Sequence, residues 1–173
     1  MAEPRREELA PMFAEFGVTV YQAQLLEEAL RLLLLIGREY AKTQIPNEAI
    51  RYPVSPDVKK TLGKLFDEVT KIELIAVKDQ KLVWAAIRVR NLLVHGYWDK
   101  DRTLRTLTPE GRRAVVEELK KIWRVLRDAT AIVHKLNDGY LAANGANIQR
   151  FMDQASGLYV SNDELPDYKG LIQ

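Results

Sequence analysis

Apolar positions along this chain recur at helical rather than strand spacing, and the breaks between them divide it into four long segments. From Val18 to Tyr40 the apolar residues cover more than one helical face: Leu25, Leu26, Ala29, Leu30 and the run Leu32 to Ile36 exceed the single stripe that an edge helix needs. A long first helix is predicted, covered on two sides, either by its own chain and a second copy or by a fully central place in a monomer. Residues 1–17 ahead of it are charged and close on Gly17, and they read as a lead-in. Pro46, Pro53 and Pro56 leave Thr43 to Ser55 as a loop, and Ser55-Pro56-Asp57 offers a cap with proline at the first helical position. The second helix then runs to about Glu73, with Val58, Leu62, Leu65, Phe66, Val69 and Ile72 recurring at three and four.

A third helix is predicted from near Asp79 through Trp84 and Ile87 to Gly96, which is placed to end it in a left-handed turn. Trp98 to Leu107 reads as a polar loop. Thr108-Pro109-Glu110 opens a long fourth helix carrying Val115, Val116, Leu119, Ile122, Trp123, Leu126, Ile132, Val133 and Leu136, and Asn144-Gly145 stops it. Ile148 to Met152 is a candidate short last helix, and residues 157–173 read as an irregular arm. Strand signals are scarce, so the expected fold is all-α: an up-and-down helical bundle of four main helices over residues 18–156, in one domain.

Composition sharpens this picture in three places. At 173 residues and 47% hydrophobic, the chain is long enough for one sizeable core and short for two. It has no cysteine, which excludes disulfides and thiolate metal sites and fits a cytoplasmic setting. The start lacks the apolar core of a signal peptide, and Arg31 and Arg38 close off the richest run, so no membrane span is expected. The formal charge of +2 does not argue for nucleic acid, but Arg88, Arg90, Lys100, Arg102, Arg105, Arg112 and Arg113 face only Asp99, Asp101 and Glu110 in their own stretch.

Chemistry concentrates in Arg88-Val-Arg-Asn-Leu-Leu-Val-His-Gly-Tyr-Trp98. Histidine is the side chain that changes charge near neutrality without help, and arginine stays cationic and can fork onto a phosphate, so the combination points to a phosphodiester. At about 100° per residue, Arg88, Asn91 and His95 share one arc of the third helix with Trp84 beside them, while Ala85, Val89, Leu92 and Leu93 face the other way, toward the core. Trp84, Ile87 and Val94 look exposed and suggest an interface next to the polar arc. Arg90 lies about 140° from His95 on a regular helix. The two converge only if the helix end unwinds at Gly96 or a symmetric copy supplies one of them.

The segment Arg90-Asn91-Leu-Leu-Val-His95-Gly-Tyr97 resembles the signature of the HEPN superfamily, an arginine, a polar residue after it, and a histidine four to six residues beyond. The further pattern Arg-x4-His-x-Tyr is similar to the toxin half of paired HEPN and minimal-nucleotidyltransferase modules, whose motif lies near the end of the third helix of an all-helical bundle. The resemblance implies a metal-independent endoribonuclease acting on RNA as a homodimer, with no cofactor and with a nucleotidyltransferase antitoxin as a possible partner. It implies Arg90 and His95 as the catalytic pair, Asn91 as orienting the histidine or contacting phosphate, and Tyr97 as a hydrogen-bonding group or a target of modification. Arg88, Arg102 and Arg105 would hold RNA backbone. The competing function is a HEPN-like module that binds RNA, nucleotide or protein without cutting.

Each residue also has a plainer role open to it. His95 can serve as a charged cap at a helix C-terminus, and Tyr97 and Trp98 can close the bundle end as core aromatics, Trp98 more readily than Tyr97. His134 lacks polar neighbours in sequence and reads as structural. Asp99 and Asp101 read as loop ion pairs rather than metal ligands.

Overall fold

The computed structural model describes residues 4–44, 62–71 and 73–143, and within them the chain is helical without strands. In chain order the helices are α1 (Arg6–Gln44), α2 (Leu62–Lys71), α3 (Val77–His95), the short α4 (Lys100–Arg105) and α5 (Pro109–Ala143). No described helix is long and apolar enough to cross a membrane. The cap at Ser55-Pro56-Asp57, the last helix at Ile148 to Met152 and the arm over 157–173 lie outside the described residues.

The expected lead-in is helix. α1 begins at Arg6, with Glu7 and Glu8 complementing the helix N-terminus, and runs straight through Pro11 and Gly17. Gly17 is expected to close the lead-in, but burial overrides it: Met12 and Thr19 are sealed from solvent, and the Thr19 hydroxyl donates back to the Glu15 carbonyl. The loop expected over Trp98 to Leu107 contains α4, because the Asp99 carboxylate accepts from the Arg102 N–H and caps a turn. Thr108 opens α5 as expected, its hydroxyl accepting from the Gly111 N–H with Pro109 at the first helical position. A Cβ on Gly111 would meet the Arg105 carbonyl oxygen at 2.0 Å, so this corner closes only around glycine.

The left-handed turn falls at Glu73 rather than Gly96. Glu73 has φ 56°, its N–H reaches the Thr70 carbonyl, and the Leu74 N–H reaches Val69, which together form the Schellman closure of α2. Gly96 instead has φ −161°, extended backbone that any residue adopts, and its N–H bonds the Leu92 carbonyl.

The dominant packing is α1 against α5, and the two run parallel. Glu8 meets Arg112, the Gln22 amide donates to the Thr130 hydroxyl, and the Asn137 amide donates to the Ala29 carbonyl, so positions rise together along both helices. α3 runs the other way: Leu74 just ahead of it lies against Gly37, Arg90 meets Glu27, and Tyr97 just after it packs on Phe16. α1 and α5 are thus parallel neighbours, unlike the strict alternation of an up-and-down bundle. The core lies between them, with Leu26, Leu30 and Leu33 of α1 against Val115, Leu119, Leu126 and Val133 of α5, and Val83, Ala86 and Ile87 of α3 completing it. Gln22–Thr130 and Asn137–Ala29 are polar pairs inside this seam, and they set its register, because sliding one helix would strand buried hydrogen-bonding groups.

Candidate functional site at the end of helix α3

Two surfaces diverge at the end of α3. On the outer arc, Arg88, Asn91 and His95 are exposed, as their spacing predicts, with Trp84 beside them stacked at 5.5 Å on Phe66. Among the described residues neither Arg88 nor His95 has a hydrogen bond or ion pair. The apolar assignment on this helix needs correction. Ile87 is buried rather than adhesive, while Ala85 and Leu92 face solvent, so the exposed apolar flank consists of Trp84, Leu92 and Val94. The core stripe is rotated by about one position, because α3 is covered chiefly by α5.

Arg90 leaves the outer arc altogether. Its guanidinium donates to the Glu27 carboxylate at 2.6 Å, and Arg31 holds the other oxygen of that carboxylate at 2.7 Å. Burial by itself would raise the Glu27 pKa, but the Arg31 hydrogen bond and the charges of Arg90 and Arg31 outweigh it and hold the carboxyl below its ordinary value. Arg90 also reaches the Asn91 side-chain oxygen at 3.3 Å, the one bond that links it back to the arc. The helix keeps its regular turn up to Gly96, so within a single chain Arg90 and His95 stay on different faces.

Tyr97 lies two residues beyond His95, yet it is only 1% exposed. Its ring packs against Phe16 and Trp98, with the Arg102 guanidinium 4.8 Å from its centroid, and its buried hydroxyl has no hydrogen-bond partner among the described residues. Burial, with the nearby Glu118 charge, pushes the Tyr97 pKa up to about 12. Of the two aromatics, Tyr97 is the core residue and Trp98 the partly exposed one, the reverse of the expected ranking. A hydroxyl placed this way cannot meet RNA or a modifying enzyme while the corner is closed.

The expected basic patch is mostly neutralised by acids from elsewhere in the chain. Arg102 is clamped between Asp99 and Glu118, Arg105 lies 3.9 Å from Glu118 and is half exposed, Arg112 pairs with Glu8, and Arg113 pairs with Glu110. A local count of charges cannot see Glu8, Glu27 or Glu118, which arrive from α1 and α5. Glu27 was detectable in one respect, as a carboxylate next to Leu26 and four residues before Arg31. Trp123 is likewise outside the core, partly exposed with the Arg127 guanidinium 5.1 Å over its ring, and His134 is exposed. No group of three His, Asp or Glu side chains with metal-binding geometry occurs among the described residues. No family model matches the chain, and no curated protein or solved structure matches it either.

Proposed function

We propose that the protein is a metal-independent endoribonuclease of the HEPN type, with His95 and Arg90 as its catalytic residues. The observation that supports this reading is the outer arc of α3, where His95, Asn91 and Arg88 face solvent together and, among the described residues, His95 and Arg88 carry no internal bond. In the proposed reaction the ribose 2′-oxygen bonds to the adjacent phosphorus and the bond to the 5′-oxygen breaks. One imidazole takes the 2′-hydroxyl proton, and an imidazolium returns a proton to the leaving oxygen. Arg90 stabilises charge on the phosphoryl oxygens. Because Arg90 and His95 lie on different faces of one chain, the site is completed by a second copy or by release of Arg90 from Glu27. Arg88 and half-exposed Arg105 contact the RNA backbone, and Asn91 orients the site; Arg102, held by two carboxylates, contributes less.

The test is incubation of purified protein with RNA in the presence of EDTA. Cleavage is expected to leave 2′,3′-cyclic phosphate or 3′-phosphate ends and to spare DNA. His95→Ala should lower the rate about 10²- to 10⁴-fold. Uncut RNA, or a His95→Ala protein as active as wild type, sinks the nuclease reading. A non-catalytic RNA-, nucleotide- or protein-binding module then takes its place, a reading favoured by one specific observation, the engagement of Arg90 with Glu27. An antitoxin that modifies Tyr97 would have to bind a state in which the Phe16, Tyr97 and Trp98 corner is open.

A further inference from the structure

The N-terminal half of α1 carries an apolar face that the described residues leave largely open, touched only at its edge where Phe13 meets Trp98. Phe13, Val18 and Tyr21 are 51%, 53% and 61% exposed, and Ala10, Ala14, Gly17 and Gln24 are exposed with them. At about 100° per residue, Ala10, Phe13, Gly17, Tyr21 and Gln24 fall within a strip about 80° wide. No charge interrupts that strip between Arg6 and Glu28, which close its two ends on the same face. Both are exposed and without an ion-pair partner among the described residues.

We propose that a second copy of this chain docks antiparallel on this face, about a two-fold axis at Gly17. The charge pattern selects that occupant. Arg6 and Glu28 stand 11 residues to either side of Gly17, so an antiparallel copy centred there sets each Arg6 against the other copy's Glu28, twice by symmetry. A parallel copy would set Arg6 against Arg6 and Glu28 against Glu28. The same centre brings Phe13 of each copy to Tyr21 of the other and Ala10 to Gln24. Gly17 meets itself at the crossing point, where a Cβ would find nothing within 4 Å in its own chain and two backbones can approach closely. The strip is about 33 Å long at 1.5 Å per residue, the length of a complete helix pair. Phe13 also packs on Trp98 at 5.5 Å, so the interface adjoins the corner that follows His95. The proposal does not depend on the nuclease reading, and its test measures association rather than cleavage.

Sedimentation equilibrium of the full chain should show a dimer at tens of micromolar. Gly17→Glu, which has room in the monomer and a better helix former than glycine, should fold at least as stably and weaken the dimer at least about tenfold. Arg6→Glu should also weaken association, and Arg6→Glu combined with Glu28→Arg should restore it. Because the chain has no cysteine, Gly17→Cys should give a disulfide-linked dimer on mild oxidation, and Gly139→Cys, at an exposed glycine of α5, should not. A wild-type protein that stays monomeric at several hundred micromolar overturns the proposal. So does a Gly17→Glu dimer of wild-type affinity, a charge exchange that fails to restore association, or equal cross-linking at positions 17 and 139.

Discussion

A single residue, Gly96, separates His95 from Tyr97, and their surroundings have nothing in common. The outer arc of α3 leaves Arg88 and His95 without bonds to other described residues. The corner after it engages almost everything: Tyr97 against Phe16 and Trp98, Arg102 between Asp99 and Glu118, Trp98 against Phe13 and Phe16. One short motif thus divides into a part whose loss should be felt as stability and a part whose loss should be felt as function. Arg90 stands between them, anchored to α1 through Glu27 while touching Asn91.

The largest effect that would break this division is Tyr97→Ala. It should lower unfolding free energy by about 3–5 kcal/mol in a denaturant titration, the usual loss for a buried aromatic cut to alanine. Tyr97→Phe should stay within about 1 kcal/mol of wild type or gain stability, since the removed hydroxyl is buried without a partner among the described residues. Absorbance titration should show Tyr97 ionising at about pH 12, a step that disappears from the curve in Tyr97→Phe. The folded pKa lies above the unfolded value near 10, so this contribution to stability is complete below pH 10 and is lost as pH rises toward 12.

Next in size is Glu27→Gln, which leaves Arg90 and Arg31 facing a neutral amide and should cost about 1–3 kcal/mol. The Glu27 pKa is lowered in the folded chain, so its contribution is present above the ordinary carboxylate value of 4.5 and lost as pH falls below it. Glu27→Gln should therefore lose less stability between neutral and acid pH than wild type does, as followed by circular dichroism. Parallel acid profiles for the two proteins would show that the ion pair contributes nothing.

The smallest effects sharpen the comparison from the other side. Arg88→Ala, His95→Ala and Gly96→Ala should each change stability by no more than about 0.5 kcal/mol. The first two side chains are exposed without partners among the described residues, and Gly96 has an ordinary φ with open space for a Cβ. A large loss of stability at any of the three would mean that the outer arc is part of the scaffold.

Much of the helical layout was legible because it depends on local rules. Thr108-Pro109 begins a helix wherever it stands before a periodic segment, and the spacing of Arg88, Asn91 and His95 determines their common arc. What the sequence hid depends on tertiary partners. Gly17 looks like a boundary until Met12 and Thr19 are seen to be buried, and the run Leu25 to Ile36 looks sticky until α5 covers it. Among the described residues the surface left open is one face of the stretch from Ala10 to Gln24, where Phe13, Val18 and Tyr21 stay more than half exposed. The ion pairs of Arg90, Arg102 and Arg112 were hidden for the same reason, since their carboxylates lie 63, 16 and 104 residues away in sequence.

The parallel pairing of α1 and α5 has a consequence for how the chain acquires its structure. The residues that meet across this seam are 104 to 108 positions apart. During synthesis at about 5–20 residues per second, α1 therefore waits roughly 5–20 s for the helix that buries Leu26, Leu30 and Leu33. Throughout that interval Leu26, Leu30 and Leu33 lack their α5 partners, so a chain whose synthesis stops before α5 should be more prone to aggregate than the whole one. Closing so distant a contact also sets this protein apart from helical bundles built on neighbouring hairpins, and its refolding should be slower than its helix content alone would suggest.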